Sequence, residues 1–181
     1  MNNHILAPAI IAGTLAIAGQ YVMAQAPAPV PPQALKAMDV FLGDWTFTGT
    51  IQDGPKGQEK PFVWKLHGRR ILGGFAVQID QDWIEGGDST KYLEIDSYNA
   101  DEKVIVSNGW GDDGSRWVTH PVFKNEVCQE DGKLFLPNGK VAEVHWTWTF
   151  DSNTRSAKTV GEMQLDGVKW TFARVTGTKA N

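Results

Sequence analysis

From Gly43 onward the chain repeats one pattern: short runs in which polar and apolar residues alternate, cut by brief turn signals. Alternation with a period of two puts successive side chains on opposite faces of an extended strand, and closely spaced turns join such strands antiparallel. The turns are signalled at Asp53-Gly54-Pro55, Glu85-Gly86-Gly87-Asp88, Asn99-Ala100-Asp101, Gly111-Asp112-Asp113-Gly114, Glu130-Asp131-Gly132, Asn138-Gly139, Asp151-Ser152-Asn153 and Asp166-Gly167. Between them lie candidate strands near 45–51, 62–67, 70–81, 91–98, 103–110, 115–120, 122–129, 133–136, 140–150, 155–165 and 168–176. Allowing for splits and merges, about eight to eleven strands are too many for a comfortable flat sheet. The expected fold is therefore all-β, an antiparallel up-and-down barrel. Eight Trp, eight Phe and 19 Gly fit that expectation, because large aromatics favour pleated, half-buried surfaces and Gly serves the turns.

Closure can be tested on the first and last strands. Trp45, Phe47, Gly49 and Ile51 share one face of the first, and Val168, Trp170, Phe172 and Arg174 share one face of the last. Run antiparallel, Trp45 meets Arg174, Phe47 meets Phe172, Gly49 leaves room for the Trp170 indole, and Ile51 meets Val168. The Trp45 and Arg174 pair is then a cation-π contact at the barrel end.

Residues before Gly43 divide into three. The run from Ile5 to Ala18 is apolar and small, and Val22-Met23-Ala24 supplies a cleavage site, so 1–24 is predicted to be a signal peptide and the mature protein to be secreted or periplasmic. Pro8, Gly13, Gly19 and Gln20 interrupt the run, which argues against a span across about 30 Å of hydrocarbon. Residues 25–34 form a Pro/Ala-rich spacer, extended and solvated. From 35 to 181 a single domain is expected, beginning with a short plug helix marked by Leu35, Met38, Phe41 and Leu42.

The G-x-W sequence Gly43-Asp44-Trp45 directly after a short helix, with Arg174 on the closing strand, resembles the pattern of lipocalins and other calycin barrels. A longer likeness is to the bacterial lipocalin-like domain of unknown function family 1579. Its landmarks are Phe41-Leu42-Gly43-Asp44-Trp45, then Arg70-Ile71-Leu72-Gly73-Gly74-Phe75, then Ser97-Tyr98-Asn99-Ala100-Asp101-Glu102-Lys103. The family pattern has Tyr-Asp where this chain has Tyr98-Asn99, a change compatible with the turn. The resemblance implies a calycin-like barrel with structural roles for Gly43, Trp45 and Arg174, and it carries no catalytic residue.

Chemistry has few candidates. With 17 Lys and Arg against 21 Asp and Glu, the net charge of -4 excludes a nucleic-acid binder driven by phosphate neutralisation. The single Cys128 can form no internal disulfide and reads as a core residue. His67, His120 and His145 show no local metal-pair spacing, and Asp112 and Asp113 lack the alternating ligands of a calcium loop, so no metal is expected. A haem barrel would want an axial His near the end of the chain, and the last 36 residues contain none, so no cofactor is expected. No nucleophile elbow, phosphate loop or dinucleotide fingerprint occurs.

Glu94 and Asp96 share a strand face with Tyr92 and Tyr98, while Glu143 and His145 share another, so Glu94, Asp96 and His145 are the candidates for acid-base work. His67 and His145 sit opposite apolar neighbours and are expected to face solvent. Phe47, Phe75, Trp146, Trp148 and Trp170 are the candidates to line an interior pocket. The expected function is binding of a small, largely apolar molecule. The alternative is a cofactor-independent isomerase, lyase or hydrolase using a cavity carboxylate or His.

Overall fold

The computed structural model describes residues 32–180. The signal peptide expected at 1–24 and most of the 25–34 spacer lie outside the described residues. The described chain opens with a 3-10 helix, η1 (Gln33–Phe41), which starts two residues inside the stretch read as spacer. Ten strands follow: β1 (Gly43–Gln52), β2 (Glu59–Ile71), β3 (Ala76–Glu85), β4 (Asp88–Asn99), β5 (Val104–Gly111), β6 (Arg116–Lys124), β7 (Val127–Phe135), β8 (Val141–Asp151), β9 (Ser156–Leu165) and β10 (Val168–Lys179). Each pairs antiparallel with its sequence neighbours, and β10 returns to β1, so the sheet closes into a barrel without a free edge.

Leu35, Met38 and Phe41 are spaced by three, the period of a 3-10 turn, so they fall on one line, and all three are buried. That line plugs one end of the barrel. Gly68 on β2 makes the fit possible: a Cβ there would lie 2.1 Å from the Phe41 carbonyl oxygen. Arg70 clamps the helix from the next turn of chain, donating to the Leu35 carbonyl at 3.3 Å and pairing with the Asp39 carboxylate. Its other amino group holds the Gly74 carbonyl at 3.2 Å. The Arg70–Phe75 landmark is thus the strap between β2, the plug and β3.

Above the plug the interior fills with aromatic rings. Phe47, fully buried, packs against Trp45, Trp64 and Trp148 with centroids 5.5, 5.7 and 5.7 Å away. Phe62, Trp64 and Leu66 are buried while His67 is exposed, the parity expected for β2.

Several expected details change. The strand expected at 70–81 is broken, because Leu72, Gly73 and Gly74 all take positive φ (51°, 65° and 97°) and turn the chain between β2 and β3. Pro121 does not end a strand: it pairs within β6 to Glu130, beyond the last β5 partner at Thr119, where no ladder donor is required. The turn expected at Glu130-Asp131-Gly132 is instead straight β7. Gly132 is there for closeness, since a Cβ would lie 2.0 Å from the Val118 carbonyl oxygen.

Closure occurs in a different register from the expected one. Trp45 stands opposite Lys179, Phe47 opposite Gly177, Gly49 opposite Val175 and Ile51 opposite Ala173. The ladder lies five residues further along β10 than expected, and a bulge against β9 changes the parity: Thr171 pairs with Glu162 and Ala173 with Gly161, leaving Phe172 unmatched. One extra residue inverts the strand's parity, so Phe172 and Ala173 are both buried and Arg174 turns outward to Thr171 and Glu59. The cation over Trp45 is Lys179, 5.8 Å from the ring. Gly49 accommodates the Arg174 carbonyl oxygen rather than an indole.

Candidate functional site: a cavity with buried carboxylates

Because β1 begins at the plug and the strands alternate, the β1–β2, β3–β4, β5–β6, β7–β8 and β9–β10 connections gather at the far end. There the barrel is open, and a cavity of about 660 Å³ runs inward from it. Apolar side chains surround the mouth, among them Leu134, Leu136, Leu165 and Trp170. Deeper, one wall is aromatic: Trp64, Trp83, Trp146 and Trp148, with Trp64 5.4 Å from both Trp83 and Trp146.

Gln81, Glu94, Thr119 and Glu130 bring polar groups into this lining. They make two separate sets of hydrogen bonds. The indole N–H groups of Trp64 and Trp83 donate to Gln81 Oε1 at 3.1 and 3.3 Å, and Gln81 Nε2 donates to Glu94 Oε2 at 3.0 Å. Trp117 donates to the same oxygen at 3.2 Å. Asp96, fully buried two residues along β4, accepts from the Ser107 hydroxyl on β5. On β7, Glu130 accepts from Thr119 at 3.3 Å.

Burial raises the pKa of all three acids, because each charge gives up water without gaining a cation. Glu94 rises to about 7, the increase being moderated by the hydrogen bonds from Gln81 and Trp117. Glu130 rises to about 8, pushed by burial and then by the Glu94 charge. Asp96 rises well above the carboxylate range, again from burial first and the Glu94 charge second. Asp96 Oδ2 and the indole N–H of Trp148 are buried with no hydrogen-bond partner among the described residues.

The sequence-predicted residues distribute as follows. Glu94 stands on the cavity wall, and Asp96 is buried just below it, outside the lining. Trp146, Trp148 and Trp170 line the cavity. Phe47 lies beneath in the packed floor, and Phe75 sits half-buried in the turn just before β3, outside the cavity lining. His145 is on the outside of β8, 2.7 Å from Asp131 and 3.1 Å from the Thr147 hydroxyl, so it does not join the carboxylates. Glu130, Gln81, Trp64, Trp83 and Trp117 were missed as site residues. For Glu130 a signal existed: it shares strand parity with Cys128, the residue already read as core.

Among the described residues no group of three or more His, Cys, Asp or Glu is arranged to hold a metal ion, and no helix is long and apolar enough to cross a membrane. No protein-family model matches the chain, and no curated protein matches it. Among solved structures the chain is similar to Rv2717c from M. tuberculosis, with a TM-score of 0.64 and 11% identity over 84% of this chain and 100% of that one. That likeness establishes the barrel fold.

Proposed function

We propose that this protein is a calycin-like barrel, related to the bacterial lipocalin-like family 1579, that is exported and binds a small, largely apolar molecule. The observation that carries the binding reading is the cavity: about 660 Å³, open at one end, closed by η1 at the other, and walled by indoles. A pocket of that size suits a ligand with a single ring system or a medium chain. Export rests on the apolar run and small-residue site in residues 1–24. Titration with fatty alcohols, isoprenoids and aromatic probes, followed by intrinsic Trp emission, tests the binding. Saturable quenching supports it, and an unchanged emission with every probe contradicts it.

A second reading has its own observation. Glu94 and Glu130 line the same cavity, and burial raises both carboxyls towards neutral pH, where a group can both take up and release a proton. Such a pair supports cofactor-independent proton transfer on a bound substrate. Exchange of ligand C–H protons with solvent deuterium, dependent on Glu94, is its signature.

A further inference from the structure

We propose that the cavity selects an organic cation, a protonated amine on an apolar body, with its ammonium group held by Glu94 and Glu130 and its body laid on the indole wall. The inference rests on the binding reading above and adds the head group. Several exposed charges of the barrel are paired across strands, as in Lys60 with Glu85 at 2.6 Å, Arg69 with Asp80 at 3.1 Å and Lys169 with Glu162 at 3.0 Å. Glu94, Asp96 and Glu130 are different: among the described residues no Lys, Arg or His forms an ion pair with any of them. The donors that reach Glu94 are neutral, one amide and one indole. A site with buried acids and only neutral partners lacks one positive charge, and a ligand can supply it.

The surrounding wall fits the same ligand. Indole faces attract cations, and Trp64, Trp83, Trp146 and Trp148 face the cavity beside the acids. Trp148, 4% exposed, has an indole N–H without a hydrogen-bond partner, and it acts on Glu130 in the direction that favours the ionised carboxylate. A bound ammonium would keep Glu130 ionised, the form that this N–H favours. An anionic head group would meet Glu94 as a like charge. A bare metal ion is disfavoured, since the described acids do not converge in a metal-holding arrangement.

The test uses three ligands of one chain length: octylamine, octan-1-ol and octanoate. Each is titrated calorimetrically into the full chain at pH 7.5, in phosphate and in Tris. Octylamine is expected to bind one per chain, at least about tenfold tighter than octan-1-ol, with octanoate weakest. Its apparent enthalpy should differ between the buffers, because the ammonium displaces protons from the raised carboxyls. In the Glu94→Gln, Glu130→Gln variant, with folding checked by circular dichroism, the amine's advantage over the alcohol disappears. The proton release is read on the unaltered chain and is independent of that variant. Equal binding of amine and alcohol, or tightest binding of octanoate, overturns the head-group assignment alone. Binding of none of the three overturns the cavity reading together with it.

Discussion

The indole N–H of Trp117 on β6 reaches the carboxylate of Glu94 on β4, 3.2 Å away, across a strand that presents only Gly109 between them. A Cβ at Gly109 would stand 2.0 Å from the Trp117 ring, so the glycine is what lets the indole lie over β5 and extend to the acid. Gly109→Ala is expected to displace the indole and cost about 1 to 3 kcal/mol, the usual range for overpacking a tight site. Chemical denaturation reads the cost. An unchanged midpoint would show that Trp117 is not held there.

The raised acids make stability fall with pH. Glu94 and Glu130 start near 4.5 as ordinary carboxyls and stand near 7 and 8 in the fold. Between those values the folded chain holds more protons than the unfolded chain, so ΔG of unfolding decreases as pH rises from about 4.5 to about 8 and levels off above. The urea midpoint should be higher at pH 5 than at pH 8, and the difference should shrink in the Glu94→Gln, Glu130→Gln variant. A midpoint that climbs over this interval contradicts the burial of these groups.

Closure at β1 and β10 depends on Trp45 and not on Arg174. Trp45 is 5% exposed, stacks on Phe47 and donates its N–H to the Val40 carbonyl at 3.2 Å, whereas the Arg174 side chain is half exposed on the outer face. Trp45→Ala should cost about 3 to 5 kcal/mol. Arg174→Ala should stay within about 0.5 kcal/mol. Equal losses in the two variants, measured by denaturation, would revive the register in which the two residues meet.

Alternation made the barrel and the outward placement of His67 and His145 legible, and helical spacing marked the plug residues Leu35, Met38 and Phe41. It failed where a single residue changes parity or purpose. The bulge at Phe172 leaves no compositional mark, yet it turns Arg174 outward. Gly132 has the look of a turn residue and serves as a close contact, which hid β7 and with it Glu130. Glu94 and Asp96 were found as a pair on one face, but alternation alone does not say which face is inside. That depends on which strands they pair with, and pairing is a long-range property.

Cys128 offers a simple probe of the interior. It is fully buried on β7, and burial together with the Glu130 charge pushes its thiol well above the ordinary range. The native protein should not react with a thiol reagent at pH 8, and one equivalent should react after unfolding in urea. Rapid labelling of the native chain would place β7 differently.

The central claim, that the open half of the barrel is a ligand cavity, is tested most directly by filling it. Val144 and Met163 both line the cavity, and the combined Val144→Phe, Met163→Trp variant should occupy much of its volume while leaving the paired backbone intact. Fluorescence titration with N-phenyl-1-naphthylamine, a neutral apolar probe, should show one saturable site per chain in the unaltered protein and none in the filled variant. Absence of binding in the unaltered protein, or binding undiminished by filling, would contradict the account.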